Sequence, residues 1–198
     1  EKIIEFLSSQ QTGRISSIDE NGYPQIIPMN FVFINDVVYM HSHIKGEKLE
    51  NIKRNQKVGF EVDKSLEFLP SYFSDPTDAS LADTLYISVV IKGNASIVLD
   101  KEEKTTALNG LMKKYQPEGG YEPIKPEMDV LDEVVVIKIV PESLRGKYKI
   151  GQHMDRKSRV NLAKQIMERN SPTAKETLDI MGFEIIDNEP KLVDDKLW

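Results

Sequence analysis

The richest run of chemically useful groups is Tyr39-Met40-His41-Ser42-His43-Ile44-Lys45-Gly46-Glu47-Lys48-Leu49. His41 and His43 are two residues apart, so in extended structure their imidazoles share a face and could ligate a metal. No carboxylate cluster accompanies them, which leaves a metal short of the rest of its ligand set. The better reading is an anion site. A strand delivers hydroxyl and imidazole groups to a turn, and the turn feeds a helix whose start carries Lys45 and Lys48. Free backbone N–H groups at a helix start favour an anion, and a lysine adds a mobile positive charge suited to phosphate. The same spacing also describes a plain strand–turn–helix with surface lysines.

Composition narrows the alternatives. The chain has 198 residues and no Cys, which excludes disulfides, thiolate zinc sites, iron–sulfur ligation and a thiol nucleophile. It has no HExxH motif, no Ser–His–Asp context and no Gly-rich loop of the dinucleotide-binding kind. A net charge of −6 argues against a generic polyanion binder. With 39% hydrophobic and 29% charged residues, the composition is that of a globular domain. The longest apolar runs, Phe31 to Ile34 and Val134 to Ile137, fall far short of the ~20 residues of a membrane span. The opening EKIIEFLSSQ reads as an amphipathic helix without a basic n-region, so a cytoplasmic location is expected.

The elements that must position the reactive run follow from pattern and turn chemistry. Gly13 to Ile18, Tyr23 to Ile34 and Val37 to His41 read as three strands, joined at Asp19-Glu20-Asn21-Gly22 and at Asn35-Asp36. Short turns of this kind build an antiparallel meander. Gly46 opens a short helix with Leu49 and Ile52 on one face, and Lys57 to Val62 resumes strand. Residues 63–83 read as a surface excursion. Leu85 to Leu99 is the strongest strand, with Gly93 at a bend or bulge. Asp100 caps a helix, with Glu103 in the capping-box position and a stripe of Ala107, Leu108, Leu111, Met112 and Tyr115. Residues 116–129 read as a loop, and Glu133 to Val140 as the last strand. Beyond Pro141 an irregular stretch becomes helical near Asp155, with a stripe of Val160, Ala163 and Met167. Ser171-Pro172 then starts a shorter helix to Met181, and an acidic, weakly patterned end runs to Trp198. About six strands with helices at intervals predict a mainly β protein, a small antiparallel barrel with peripheral helices. The predicted division is residues 1–145 for the barrel and 146–198 for a helical C-terminal extension.

The segment GRISSIDENGYPQIIPMNFVFINDVVYMHSHIKGEKLENIKRNQKVGFEV, together with YISVVIKGNASIV, resembles the FMN-binding split barrels related to pyridoxamine 5'-phosphate oxidase, in particular their nitroimidazole-resistance branch. The likeness covers about Gly13 to Val140. A further run, LRGKYKIGQH, is similar to the tail of Pai-type FMN-binding regulators, with His153 where those carry Asn. The resemblance implies a six-stranded antiparallel split barrel with FMN at a homodimer interface. His41, Ser42 and Lys48 match its phosphate-holding positions, with His43 beside them. Pro28, Met29 and Asn30 match the strand beside the isoalloxazine ring. Ser88 and Val89 match the strand that reaches the flavin from the partner subunit. Some members carry Arg immediately before this Lys; here the position is Glu47.

Three functions compete. The first is an FMN-dependent oxidoreductase passing electrons from a reduced nicotinamide to a small acceptor. The second is a non-catalytic FMN-binding transcriptional regulator of the Pai type. The third is a split barrel holding haem or a deazaflavin. Genuine pyridoxamine phosphate oxidase activity is disfavoured, because the tail lacks a match to that enzyme's Arg-rich substrate segment. From Asp155 to Asn170 there are five Lys or Arg against two acids. Such a run is expected to be the solvated face of a packed helix rather than a nucleic-acid contact.

Overall fold

The computed structural model describes residues 1–194; residues 195–198, and with them Trp198, lie outside the described residues. The chain opens with helix α1 (Lys2–Ser9) and strands β1 (Thr12–Ile18), β2 (Pro24–Asn30), β3 (Val32–Ile34) and β4 (Val37–Ser42). Helix α2 (Glu47–Arg54) and strand β5 (Lys57–Leu69) follow. Single 3-10 turns at Ser71–Phe73 and Ala79–Leu81 lead into β6 (Asp83–Ile97). Next come α3 (Lys101–Tyr115), α4 (Val130–Glu133) and β7 (Val135–Lys149). Helices α5 (Arg156–Arg169) and α6 (Ala174–Ile180) precede a hairpin of β8 (Phe183–Ile186) and β9 (Glu189–Leu192). Two compact units emerge among the described residues, one made of residues 1–62 and 89–146, the other of residues 63–88 and 147–194.

The first unit is mainly β. The main sheet has seven strands in the order β2-β1-β5-β6-β7-β4-β3, and the pairings β1–β2, β1–β5, β3–β4 and β4–β7 are antiparallel. β2 and β3 stand at opposite ends of that order, yet only Phe31 separates them in sequence. One residue spans about 3.6 Å at most, so the two edges meet and the sheet curls into a barrel. The expected count of six strands is therefore one too few. The text from Tyr23 to Ile34 reads as one strand but is two, because the chain changes partners at Phe31. That residue is fully buried, its ring edge-on to Phe60 at 5.1 Å.

Alternation sets the layers. Val38 pairs with Ile139 and Met40 with Ile137, and all four are buried. The opposite face of β4 carries Tyr39, which joins Val32, Val98, Ala107, Leu108, Leu111, Leu131 and Val136 in a cluster containing the buried face of α3. Asp100 caps α3, accepting from the Glu103 N–H at 2.8 Å. Glu103 does not complete a reciprocal capping box: its carboxylate accepts from Tyr39 Oη at 2.9 Å and from Lys138 Nζ at 2.9 Å. That bond and burial push the Tyr39 phenol up to about 12, with burial the larger cause. At Gly93, within β6, a Cβ would come 2.4 Å from the Val140 carbonyl oxygen, so the glycine permits close approach of β7.

In β5 and β7, strand continues where loop or irregular chain is expected. β5 runs on to Leu69, so the excursion shrinks to residues 70–82. β7 runs through Pro141 to Lys149. The ladder between β4 and β7 ends at Val38 opposite Ile139, so Pro141 lies beyond it, where a missing N–H is tolerated. The Asp155-capped helix α5 buries Arg159, Leu162, Ala163 and Ile166; Val160 and Met167 are only half-buried. The stripe is shifted because the long Arg159 is drawn inward, donating to the Met181 carbonyl at 2.6 Å. Glu67 is also buried, and accepts from Arg169 at 2.7 Å, from Thr173 Oγ1 at 2.8 Å and from Ser171 Oγ. The weakly patterned end contains the β8–β9 hairpin, whose turn residues Asp187 and Asn188 both have positive φ.

Candidate functional site

The run from His41 to Lys48 is held by the packing of α2. Leu49 and Ile52 are buried, and Asn51, wholly buried, donates to Ser17 Oγ and to Gln25 Oε1, each at 3.3 Å. These contacts fix the helix on the β1–β2 hairpin and so fix its N-terminus. No side chain caps that N-terminus. Gly46 stands at the N-cap, and a Cβ built on it would lie 3.7 Å from Lys48 Nζ. The result is bare backbone, an uncapped helix start and an ammonium group side by side, a cradle that a side chain would fill. Ser42 is buried on the inner face of β4 and donates to the His43 carbonyl at 3.1 Å. His43 is exposed, and its Nδ1 accepts from the Lys45 N–H at 3.2 Å, which shapes the turn. His41 is exposed on the opposite face of β4 from Ser42. Glu47 is exposed and lines a separate depression of about 220 Å³ with Asp19, Glu20, Glu50 and Arg54; Lys48 is not part of that lining. Among the described residues, no group of three or more His, Asp or Glu side chains could hold a metal.

The ring-side candidates lie on β2, a strand none of whose seven residues is buried. Pro28 and Asn30 are exposed, whereas Met29 is half-buried opposite Gly13. Ile26 is 62% exposed and Tyr23, just before the strand, 71%. Continued past Val32↔Tyr39, the β3–β4 register would set Asn30 against His41 and Met29 against Ser42. The chain instead turns off at Phe31 to pair with β1, and a split opens between β2 and β4, which still touch. The candidates on β2 and those on β4 and α2 therefore flank one opening. On β6, Ser88 is half-buried and Val89 fully buried. Val89 has its side chain in the core, so only its backbone is available for recognition.

One group near this opening escaped sequence reasoning. Lys114 of α3 places its Nζ 3.7 Å above the Phe31 ring and donates to the Leu7 carbonyl at 3.2 Å. Burial lowers its ammonium from the ordinary 10.5 to about 8. Tyr115 beside it accepts from the Phe31 N–H at 2.9 Å, fixing the point where the chain leaves β2. The sequence signal was present, since Lys114 lies three residues past Leu111 on the apolar stripe of α3.

A closed sheet split beside a phosphate-type cradle defines a class of ligand-binding barrel, and comparison identifies the class. The family model for pyridoxamine 5'-phosphate oxidase matches residues 1–148, and the chain belongs to that family. No curated protein matches the chain. Among solved structures, a candidate 5-nitroimidazole antibiotic resistance protein from Bacteroides thetaiotaomicron is 23% identical, with TM-score 0.62, over 74% of this chain and 82% of that one. The FAD and heme binding protein from Mycobacterium smegmatis is 11% identical, with TM-score 0.64, over 81% of this chain and 76% of that one. The flavocytochrome Anf3 from Azotobacter vinelandii is 18% identical, with TM-score 0.63, over 75% and 66%. These likenesses establish a shared fold.

Proposed function

We propose that the chain binds FMN at the split between β2 and β4 and serves as a flavin-dependent oxidoreductase, passing electrons from a reduced nicotinamide to a small acceptor such as a nitroaromatic, a quinone or a B6-type compound. The observation that carries this reading is the bare Gly46 backbone beside Lys48 Nζ at an uncapped helix start. Lys48 would neutralise phosphate charge, and the first amides of α2 and the Ser42 hydroxyl would donate to phosphate oxygens. His43 would flank the same anion, and His41, whose side chain lies on the opposite face of β4 from Ser42, would reach it only through its backbone. Glu47, exposed beside its own depression, need not face it. Pro28, Met29 and Asn30 would run along the ring through the edge of β2. FMN, when bound, supplies the electron-transfer chemistry; the protein holds and orients it. The exposed apolar face of β2 supports a homodimer in which Ser88 of the partner subunit and Val89 of the partner subunit complete the site. Among the described residues no helix is long and apolar enough to cross a membrane, and a cytoplasmic location is part of this proposal.

The regulator reading draws on the five cations of the tail helix. Arg159 is buried, Arg169 bonds Glu67 and the Phe68 carbonyl, and Lys164 pairs with Glu189 at 2.7 Å. Most of that charge is thereby engaged within the fold, which favours the oxidoreductase. The test is the visible spectrum of the purified protein, with release of FMN on denaturation, followed by steady-state NADPH oxidation with an added acceptor. A yellow protein that turns over supports the proposal. A colourless protein that fails to take up FMN overturns it, and a yellow one inert to NADPH and acceptors removes the oxidoreductase half.

A further inference from the structure

The second unit contains a cavity of about 690 Å³ that the flavin proposal does not use. That volume is in the usual range for small-molecule pockets, about 300–1,000 Å³. One wall is apolar, formed by Leu69, Pro70, Phe73 and Leu81. The facing wall is a stripe of α5 at helical spacing, Ser158, Asn161, Leu162 and Gln165. The apolar wall is braced rather than loose. Gln165 donates to the Phe73 carbonyl at 2.8 Å. Asp75 accepts from the Thr77 N–H at 2.7 Å, and Asp78 from the Ser80 N–H at 2.9 Å, so both carboxylates stiffen the excursion.

The polar groups left over specify the ligand. Gln165 gives one amide N–H to Phe73, so its second N–H and its carbonyl oxygen remain. Asn161 is exposed and makes no hydrogen bond among the described residues, leaving a donor and an acceptor side by side. Asp83 and Asp155 add carboxylate acceptors at one end; Lys149 holds the first, the Ser158 N–H and hydroxyl hold the second, and Lys157 lies on the same rim. A lining whose free amides offer donors and acceptors in pairs calls for a ligand that presents both. An amide side chain reads a paired donor and acceptor edge, as Asn or Gln does on adenine. We infer that this cavity, lying wholly within the second unit, is a separate site for a planar heteroaromatic molecule carrying a carboxamide or amino-heterocycle edge, with its ring against Phe73 and Leu81 and its N–H groups toward Asn161 and Gln165. The inference does not depend on the flavin reading.

Calorimetric titration of the full chain with quinoline-3-carboxamide, quinoline-3-carboxylate and quinoline tests it. The carboxamide should bind at least tenfold more tightly than the other two, because only it offers donors to the acceptors of the wall. Asn161→Leu should erase that preference, and Asn161→Trp, which fills the cavity from an exposed helix position, should abolish binding of all three. Three results would overturn the inference: no saturable binding of any probe at millimolar concentration, equal affinity for all three, or a carboxamide preference unchanged in both variants.

Discussion

Lys114 offers a prediction in which sign and size both follow from structure. Its ammonium lies against the Phe31 ring, and burial lowers it from 10.5 to about 8. Below pH 8 the folded and unfolded chains both carry the proton, and the folded state bears the full cost of desolvation. Between 8 and 10.5 the unfolded chain holds a proton that the folded chain has released, so stability rises with pH across that window. The difference corresponds to at most about 3.4 kcal/mol, at about 1.36 kcal/mol per pH unit. Lys114 keeps part of its surface in water, and screening reduces the figure to about 1–2 kcal/mol. A Lys114→Met variant has no such titration. Urea unfolding at pH 7 and at pH 10.5 should therefore show the stability of the variant relative to the natural chain falling by about 1–2 kcal/mol at the higher pH. The ring contact and the bond to Leu7 set the absolute offset at pH 7, and the change with pH does not depend on them. A difference that is constant across the two pH values, or that moves the other way, would refute the assignment of a desolvated ammonium.

Two further predictions concern the frame. Glu67→Ala removes the buried acceptor shared by Arg169, Ser171 and Thr173 and should cost about 1–3 kcal/mol in urea unfolding; Glu67→Gln, which keeps an acceptor, should cost clearly less. Gly93→Ala drives a methyl group to within 2.4 Å of the Val140 carbonyl oxygen and should cost about 1–3 kcal/mol or more, read as a lowered Tm.

Local chemistry made much of the first unit legible. The Asn35-Asp36 turn, the Gly46 helix start, the Asp100 cap and the alternation of Leu85, Ile87, Val89 and Ile91 all stand in the structure. The change of partner at Phe31 was not legible, because a strand-like stretch without a turn signal cannot show which strand each part will join. The length of β7 was hidden by Pro141, read as a stop when it lies beyond the neighbouring ladder. In the tail, Arg159 was read as solvated because a charged side chain rarely goes inside, and the burial of its neighbours depends on a carbonyl twenty-two residues away. The run from His41 to Lys48 could be read as a candidate site because its order is local. Lys114 showed in the sequence only as a lysine on the apolar stripe of α3, because its desolvation arises from Phe31 and Leu7, remote in sequence.

Titration of the flavin-free protein with FMN, followed by quenching of flavin fluorescence, tests the central claim most directly when the natural chain and Lys48→Ala are compared. A charge-assisted bond to phosphate is worth about 1.5–3 kcal/mol, so the variant should bind FMN about ten- to a hundredfold more weakly. A Kd unchanged by the substitution, or a natural chain that takes up no FMN at all, would contradict the placement of a flavin phosphate at Gly46 and Lys48.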